Sequence, residues 1–393
     1  MRSTLLVVSV VVLLGGALTA GLLAGGSGTE PARTKDGAPA VTLSVSFDTA
    51  AGSWAILPMG DLSQPLNTFW QVFFRPTGST GWRLVTPPGV ADNGGFSASV
   101  DGDGAVTVLF EPSNQLAFSP LTSSSDNGKN WSSGIVPFGA EAGPDVLVAD
   151  SAGGRSVVLE HGGAQVLTGT GDGASWTTLF TKRTIARSAG GIACGVQSLT
   201  AVGAIGSQQL AASGCARPGV VGIFAAARST AGLGGWQLIG PRLPASRGDV
   251  SVLRMWSAGD RIEALVDAHD QKANYAYALW KSRGASVWKI SAPLPLGPNA
   301  QIVSTGSAPA GTVVIETKTS NSLSAETVGL AHATSWSVLP ALPQGTQDVS
   351  YGADGKIEAL CVSSSHLTAW TLSAGRWASS GSLLVPIQYG SSS

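Results

Sequence analysis

An all-β fold built from repeated sheets is predicted by three features of the sequence. The 393 residues include 52 glycines and 21 prolines, which supply many turns. Charged residues make up 12%, against a usual share of about 25%. A short apolar run followed by a tryptophan recurs about every fifty residues. Together these features predict a glycine-punctuated β protein with repeated units.

Composition also excludes several classes of protein. The 23 Lys and Arg residues against 24 Asp and Glu give a net charge of -1, without the basic excess typical of a nucleic-acid binder. A disordered polyampholyte needs many charges and few apolar residues, whereas 43% of this chain is hydrophobic. A coiled coil needs more lysine than is present. We therefore expect no nucleic-acid partner.

The N-terminal segment, residues 1–26, predicts a hydrophobic helix. After Arg2, an apolar run from Leu5 to Ala24 is long enough to cross a bilayer, and the positive charge before it orients the rest outward. Two interpretations stay open, a cleaved signal peptide and an uncleaved membrane anchor. Both predict an extracytoplasmic body, secreted or held at the membrane. Residues 27–41, rich in Gly and Pro, indicate a flexible linker.

The body of the chain repeats a strand-like marker. Each copy is a short apolar run that ends before a turn, and two copies, Ile262–Leu265 and Ile357–Leu360, share the sequence Ile-Glu-Ala-Leu. The last residues of the runs follow one another at intervals of 45 to 55 residues: Leu109, Leu159, Leu210, Leu265, Ile315 and Leu360.

A tryptophan follows every one of these runs in the same phase. The tryptophans lie 17 to 26 residues further on: Trp131, Trp176, Trp236, Trp288, Trp336 and Trp377. Trp82 precedes them and indicates a seventh unit. Two sequence features that recur with the same period of about fifty residues, with several short strands in each unit, are typical of a β-propeller.

The length of the body predicts seven four-stranded antiparallel blades. Residues 42–388 divide into seven units of about fifty, with 389–393 as a tail. Inner strands are small and alternating, as in Phe96–Val100. A hairpin from Val41 to Trp54 precedes the first full unit, and we expect it to complete the last blade and close the ring. An eighth partial blade is the alternative, so six, seven or eight blades stay open.

One predicted turn carries a known motif. Ser124, Asp126, Gly128 and Trp131 match the Asp-box pattern Ser-x-Asp-x-Gly-x-x-Trp, which resembles the BNR repeats of sialidase-like propellers. Asp126 is expected to accept backbone N–H bonds, Gly128 to be left-handed, and Trp131 to cover the blade. In that family the box is a structural hairpin, so the resemblance implies the fold more strongly than an activity. The chain also loosely resembles the propellers of photosystem assembly factors, which bind protein clients.

The residues that a sialidase needs are poorly matched. The resemblance would imply an arginine triad, a tyrosine nucleophile with a glutamate partner, and an acidic proton donor. The Arg-Ile-Pro signature of the family is represented only by Phe74-Arg75-Pro76, which lacks the isoleucine. The four tyrosines lie in contexts unlike that of the family nucleophile: Tyr275, Tyr277, Tyr351 and Tyr389. We therefore predict no catalytic residues, although an enzyme of glycoside hydrolase type stays open.

Other polar clusters carry weaker predictions. Two polar clusters follow predicted strand ends, namely Glu160 with His161, and Asp267 with His269 and Asp270. We interpret both as solvated turns, and acid–base or ligand roles are the alternative. Glu263 and Glu358 occupy equivalent points of the repeat. Their recurrence predicts a structural role, with the carboxylates facing solvent or pairing with Arg261 and Lys356 on the same strand faces.

The three cysteines predict one disulfide and one free thiol. Cys194 and Cys215 lie 21 residues apart and are expected to pair in an oxidising compartment, whereas Cys361 lies in an apolar strand-like run. Three unrelated buried thiols are the alternative. No Cys-x-x-Cys occurs and the four histidines are scattered, so we expect no metal and no cofactor.

The sequence favours a non-catalytic, extracytoplasmic propeller, held near the membrane, that binds a protein or glycan partner. A regular ring of repeats without concentrated chemistry supports this hypothesis, and we expect a monomer. Two alternatives stay open: a glycoside hydrolase of exo-sialidase type and a structural cell-surface protein.

Overall fold

Strands dominate the structure, which confirms the all-β class. The computed structural model of the chain describes residues 44–60, 68–88, 95–111, 118–141, 143–150, 155–170, 175–229, 232–243, 248–258, 260–269, 273–282, 284–297, 299–308, 311–319, 322–352, 354–363 and 365–385. The predicted N-terminal helix, linker and C-terminal tail lie outside these residues. Within the described ranges, no helix has the length and apolar character needed to cross a membrane.

The strands follow one another along the chain in sets that we call groups one to seven. Group one contains β1 (Val45–Thr49), β2 (Gly52–Gly60), β3 (Thr68–Pro76) and β4 (Arg83–Leu84). Group two contains β5 (Gly95–Val100), β6 (Val106–Glu111), β7 (Ser119–Ser124) and β8 (Ile135–Val136). Group three contains β9 (Leu147–Asp150), β10 (Arg155–Leu159), β11 (Gln165–Thr170) and β12 (Trp176–Thr181). Two short helices follow, α1 (Lys182–Ala186) and α2 (Ala189–Cys194).

Groups four and five have short extra strands. Group four contains β13 (Val196–Ile205), β14 (Gln208–Cys215), β15 (Gly222–Ser229), β16 (Gly232–Leu233) and β17 (Gln237–Leu238). Group five contains β18 (Val250–Ala258), β19 (Arg261–His269), β20 (Asn274–Ser282), β21 (Lys289–Ile290) and β22 (Leu294–Leu296). Group six contains β23 (Gln301–Ala308), β24 (Thr312–Lys318), β25 (Leu323–Gly329) and β26 (Ser337–Val338), and group seven contains β27 (Thr346–Tyr351), β28 (Ile357–Ser363), β29 (His366–Ser373) and β30 (Arg376–Leu384).

All strand pairs within a group are antiparallel, so consecutive strands begin at alternating ends of the group. Groups one, two, three, six and seven are separate four-stranded sheets in chain order. Groups four and five form one ten-stranded sheet, joined where Cys215 faces Val250. At the upper end of a group the first strand begins, the second ends and the third begins, as at Gln301, Lys318 and Leu323. The lower end lies opposite, where the first strand turns into the second.

The repeat markers occupy equivalent places in the groups. The apolar runs fall on the second strand of groups two to seven, and each tryptophan lies at or just before the fourth strand, except that Trp236 of group four lies just before β17. Four tryptophan Nε1 atoms donate to a backbone carbonyl near the end of the preceding group: Trp131 to Val85 at 2.8 Å, Trp288 to Ile239 at 2.7 Å, Trp336 to Ala292 at 2.9 Å and Trp377 to Pro340 at 3.4 Å. The tryptophans therefore join successive groups as well as covering their own sheets.

The expectation that the N-terminal hairpin completes the last sheet is wrong. β1 and β2 pair with each other and with β3 in group one, while group seven has four strands of its own. Groups one and seven meet instead through an apolar cluster that includes Leu57, Phe73, Trp82, Leu360 and Leu367. Side-chain packing, rather than a shared strand, joins the two ends of the described chain.

The predicted disulfide between Cys194 and Cys215 is confirmed, and Cys361 is a buried free thiol. The bridge ties the end of α2 to the end of β14, with the two Cα atoms 4.9 Å apart.

Removing the disulfide is expected to lower the free energy of unfolding. The variant Cys194→Ala with Cys215→Ala should lose about 3 kcal/mol, because a bridge closing a loop of this size restricts the unfolded chain. Denaturant titration of the full chain gives the difference, and thiol counting on denatured, unreduced protein should find Cys361 alone. Three reactive thiols, or an unchanged unfolding midpoint, would contradict this prediction.

Candidate functional site

The first strands of the groups converge on a buried ion pair. Arg254 on β18 is 4% exposed, and its Nε donates to Asp145 Oδ2 at 2.8 Å from the segment before β9. Its Nη1 donates to the Thr305 hydroxyl on β23, and its guanidinium stacks 4.6 Å from the centre of the Trp256 ring. Arg254 thus links groups three, five and six.

A buried aspartate extends this polar region to groups one and seven. Asp348 on β27 is fully buried, accepting from Ser304 Oγ at 2.6 Å and from Ser46 Oγ at 2.5 Å. Burial raises the pKa of the Asp348 carboxyl. The hydrogen bonds from the two serine hydroxyls partly oppose this increase. We call this set the axial cluster: Ser46, Asp145, Arg254, Ser304, Thr305 and Asp348. It contains hydroxyls and charges that are already paired with one another.

Glu316 lies beside the axial cluster without a hydrogen-bond partner among the described residues. It is fully buried on β24, opposite Ser304. Burial, and then the negative charge of Asp348, raise the pKa of Glu316 to about 8, while Lys318 opposes the shift. At neutral pH this side chain is therefore mainly an uncharged carboxylic acid.

Replacing Glu316 is expected to remove a pH dependence of stability. Between pH 4.5 and about 8 the folded chain holds a proton on Glu316 that the unfolded chain lacks, so its contribution is lost as pH rises, by up to about 1.4 kcal/mol per pH unit. Glu316→Gln should match the native chain near pH 4.5 and become increasingly more stable than it towards pH 8. Denaturant titrations at several pH values measure this difference.

A matched variant is Glu263→Gln. Glu263 is buried on β19, where burial raises its pKa to about 7 against the opposing effect of Arg261 and a bond from the Gly311 N–H at 3.2 Å. The difference in free energy of unfolding between Glu263→Gln and the native chain should level off about one pH unit below the corresponding difference for Glu316→Gln. If the free energies of unfolding of Glu316→Gln and the native chain change in parallel over the whole pH range, Glu316 is ionised in the folded state.

An open cleft lies at the upper end between groups six and seven. Its volume is about 330 Å³, at the small end of the range for ligand pockets. Polar and apolar groups contribute about equally to its lining, which consists of Val303, Lys318, Thr319, Ser322, Leu323, Thr346 and Gln347. Lys318 is exposed and forms no ion pair with any described residue. The cleft can therefore offer several hydrogen bonds and one positive charge to a ligand.

The sialidase-related residues are placed apart from this cleft. Arg75 is 9% exposed on β3 and its Nη2 lies 2.8 Å from Glu358 Oε2 on β28, across the contact between groups one and seven. Tyr351 donates to or accepts from Thr327 at 2.5 Å, and burial raises its pKa to about 12. Tyr277 is buried on β20, and Tyr389 lies outside the described residues.

The Arg75 ion pair corrects the expectation for Glu358. Glu358 has a structural role, but its partner is Arg75 of group one rather than Lys356, which instead pairs with Asp354 at 2.7 Å. Arg75 also donates to Ser53 at 3.1 Å and lies 4.8 Å from the centre of the Trp82 ring. This arginine therefore belongs to the framework of the fold.

Asp267 and His269 form a second polar pair at the upper end. Asp267 is fully buried, so the solvated-turn interpretation is wrong for it, and its Oδ2 lies 2.6 Å from His269 Nε2. His269 Nδ1 lies 2.6 Å from Asn274 Oδ1, so the ring faces an oxygen at both nitrogens. The close contact with the Asp267 carboxyl is the main cause of the raised pKa of His269. Asp270 lies outside the described residues, and exposed His161 faces Glu141 at 3.9 Å rather than Glu160.

The turn predicted from the Asp-box pattern is closed by its own side chains. Asp126 Oδ1 accepts from the Asn130 N–H at 2.9 Å, and Ser124 Oγ accepts from the Gly128 N–H at 2.9 Å. Gly128 has φ of 77°, and a Cβ there would lie 2.6 Å from Val85 Cβ. The hydrogen bonds lower the pKa of Asp126 to about 2. Trp131 is half-buried between groups one and two.

Sequence reasoning missed the axial cluster. The repeat assigns the segments around Arg254 and Asp348 to inner strands, and a charge within such a strand was the signal available. No group of three or more metal-binding side chains occurs in the part of the chain that the structure describes.

Comparison with known proteins identifies the fold. No family model and no curated protein matches the sequence. Among solved structures, a Niastella koreensis GH74 enzyme is 12% identical, with a TM-score of 0.54 over 85% of this chain. This chain spans only 52% of that enzyme. A Lactobacillus plantarum protein is 8% identical with a TM-score of 0.50, over 85% of this chain and 96% of its own.

A third neighbour is the periplasmic gluconolactonase of Pseudomonas aeruginosa, at 12% identity and a TM-score of 0.49, over 84% of this chain and 95% of its own. The GH74 enzyme and the Lactobacillus plantarum protein, with TM-scores of at least 0.50, are β-propeller neighbours of this chain. The predicted β-propeller is therefore confirmed as the fold of this chain.

Proposed function

We propose that this chain is a non-catalytic binding propeller whose upper-end cleft between groups six and seven takes a polypeptide partner. The cleft carries the proposal, because its hydroxyl and amide groups can bond an extended backbone and Lys318 can bind a carboxylate. None of the described residues that line the cleft carries an aromatic ring to stack on a sugar. These properties favour an acidic side chain or a C-terminal carboxylate of a protein over a neutral glycan.

The proposal includes seven blades, a monomer and an extracytoplasmic location. Groups four and five are counted as two blades, because a single residue pair joins them and each has its own set of antiparallel strands. The disulfide supports an oxidising compartment. The apolar N-terminal run supports attachment to, or passage through, a membrane.

Site-specific crosslinking tests the cleft. A photo-crosslinking amino acid replaces Gln347 in the full chain, and adducts formed in the membrane fraction of the source cells are analysed by mass spectrometry. Polypeptide adducts are expected, and Lys318→Glu should abolish them. Lys356→Glu is the matched control, since Lys356 is an exposed lysine at the lower end and should leave the adducts unchanged.

Other outcomes identify the alternatives. Retention of acidic glycans on an array, lost in Lys318→Glu and without polypeptide adducts, would favour a glycan partner. Turnover of fluorogenic sialosides by the full chain would favour the sialidase-type hydrolase. Arg75 is unsuited to that test because its replacement breaks a buried ion pair. If the chain gives no adducts, no glycan binding and no turnover, the result would favour the structural surface protein.

A further inference from the structure

Two short helices, α1 and α2, connect groups three and four, and a disulfide ties α2 to β14. Thr181 caps α1 by accepting from the Thr184 N–H at 3.1 Å, and Ser188 caps α2 by accepting from the Gly191 N–H at 3.0 Å. A Cβ on Gly191 would lie 2.0 Å from the Ile185 carbonyl oxygen, so glycine is required for the close approach of the two helices. The sequence therefore specifies this small structure by its caps and by one glycine.

The helix pair is firmly fixed to the propeller. Ile185 is fully buried beneath it, Cys194 is bonded to Cys215, and a Cβ on Gly190 would lie 2.7 Å from Leu238 Cβ. Little conformational entropy is left to lose on binding, because the backbone is already held at both sides. The outer surface of the pair is thus presented in one orientation.

That outer surface is apolar on α2 and basic around it. The exposed residues of α2 are all apolar, namely Ala189, Ile192 and Ala193, and Ile192 is 64% exposed. Three exposed arginines surround them: Arg183 and Arg187 lie one helical turn apart on and just after α1, and Arg217 donates its backbone N–H to the Cys194 carbonyl at 2.9 Å. We call these six residues the helix patch.

The arginines of the helix patch form no ion pair with any described residue. The nearby carboxylates have other partners: Glu141 accepts from the Gly162 N–H at 2.6 Å, and Asp249 accepts from Gln197 Nε2 at 3.1 Å. The patch therefore combines free positive charge with a protruding aliphatic side chain. This combination is typical of protein surfaces that lie in the interface of an anionic bilayer.

The helix patch lies at the upper end, where the described chain also begins. β12 runs towards the upper end and β13 starts there, so the helices connect the two at that end. Ser44 precedes β1 and pairs with Ser304, which places the incoming chain at the same end. An apolar run of about twenty residues precedes Ser44 in the sequence, separated from it by a Gly- and Pro-containing stretch. The helix patch and the start of the described chain therefore lie at the same end of the propeller.

We propose that the helix patch docks on a bilayer that contains anionic lipids, with Ile192 in the interface and the three arginines on lipid phosphates. The choice of lipid over an acidic protein rests on the proposed membrane attachment of the N-terminal segment. Docking orients the upper end, with its cleft, towards the membrane surface. A partner reaching the cleft would then come from the membrane or from its immediate surface.

Local fluorescence in the full chain tests this inference. Dansylalanine replaces Ile192, and in a separate protein it replaces Val287, a 73% exposed aliphatic residue near the lower end. Each protein is mixed with vesicles of phosphatidylcholine alone or of three parts phosphatidylcholine to one part phosphatidylglycerol. A blue shift is expected only at position 192 and only with phosphatidylglycerol, and it should weaken at high salt.

Charge reversal supplies the control. Arg183→Glu with Arg187→Glu should abolish the shift at position 192, whereas Arg155→Glu with Arg376→Glu, two exposed arginines near the lower end, should leave it unchanged. Equal shifts at positions 192 and 287, or no shift at 192 while the chain floats with the vesicles, would overturn the inference. A shift with soluble polyglutamate but not with vesicles would overturn it in favour of an acidic polypeptide.

Flotation separates this inference from the proposed membrane attachment. A shift at position 192 in a chain that is washed off the vesicles by salt supports docking and contradicts a permanent anchor. Neither result depends on the crosslinking at the cleft, which reports the partner independently.

Discussion

Arg254→Met is expected to lower the free energy of unfolding by about 3–5 kcal/mol. The change removes the only positive charge within bonding distance of Asp145 among the described residues, and the Asp145 side chain is only 12% exposed. A buried charge left without its partner costs this amount because it has lost both water and its counter-charge. The bond to Thr305 and the stacking on Trp256 are lost as well.

Lys356→Met is the matched control for Arg254→Met. Lys356 and Asp354 also form an ion pair at 2.7 Å, but their side chains are 55% and 53% exposed. An exposed pair of this kind contributes less than about 1 kcal/mol, because water solvates both charges after the pair is broken. Denaturant titration followed by tryptophan fluorescence measures both variants. A cost below about 1 kcal/mol for Arg254→Met would mean that the axial cluster is open to water.

Arg75→Met is expected to have a comparable effect through the contact between groups one and seven. It leaves Glu358 with 11% side-chain exposure and no cation, which should cost about 3–5 kcal/mol. The stacking of the guanidinium on Trp82 is lost too. Because this contact joins the first and last groups, the variant should also speed hydrogen exchange in β2 and β28.

The double variant Arg75→Met with Glu358→Leu distinguishes a broken ion pair from a packing defect. With both charges removed, no unpaired group stays buried, so the double variant should be more stable than Arg75→Met. Glu358→Leu alone should be destabilised by the unpaired Arg75. If the costs of the two single changes simply add in the double variant, the two charges do not interact.

Much of the fold could be predicted from the sequence because it depends on local patterns. Strand alternation placed Phe96–Val100 in β5, and the recurring apolar runs fell on the second strand of their groups. The turn from Ser124 to Trp131 is closed by short-range hydrogen bonds whose donors and acceptors lie within four residues. The cysteine pair was also predicted, because Cys194 and Cys215 lie only 21 residues apart whereas Cys361 lies in an apolar strand-like run.

The candidate sites could not be predicted because their residues are far apart in the chain. Arg254 and Asp145 are separated by 109 residues, and Arg75 and Glu358 by 283. By sequence Glu358 has a nearer cation in Lys356, yet the register of group seven directs the two side chains to different partners. The cleft similarly needs residues of four strands, β23, β24, β25 and β27, from two groups.

The sequence by itself determined the class of fold, the period of the repeat, the turns and the disulfide, since each depends on backbone preferences or on residues close in the chain. Only the tertiary structure decided which charges meet at the axis, which residue balances Glu358, how the first and last groups join, and what lines the upper end. Those contacts follow from how whole sheets pack against one another, and a shift of one residue in register would direct every side chain of a strand to its other face.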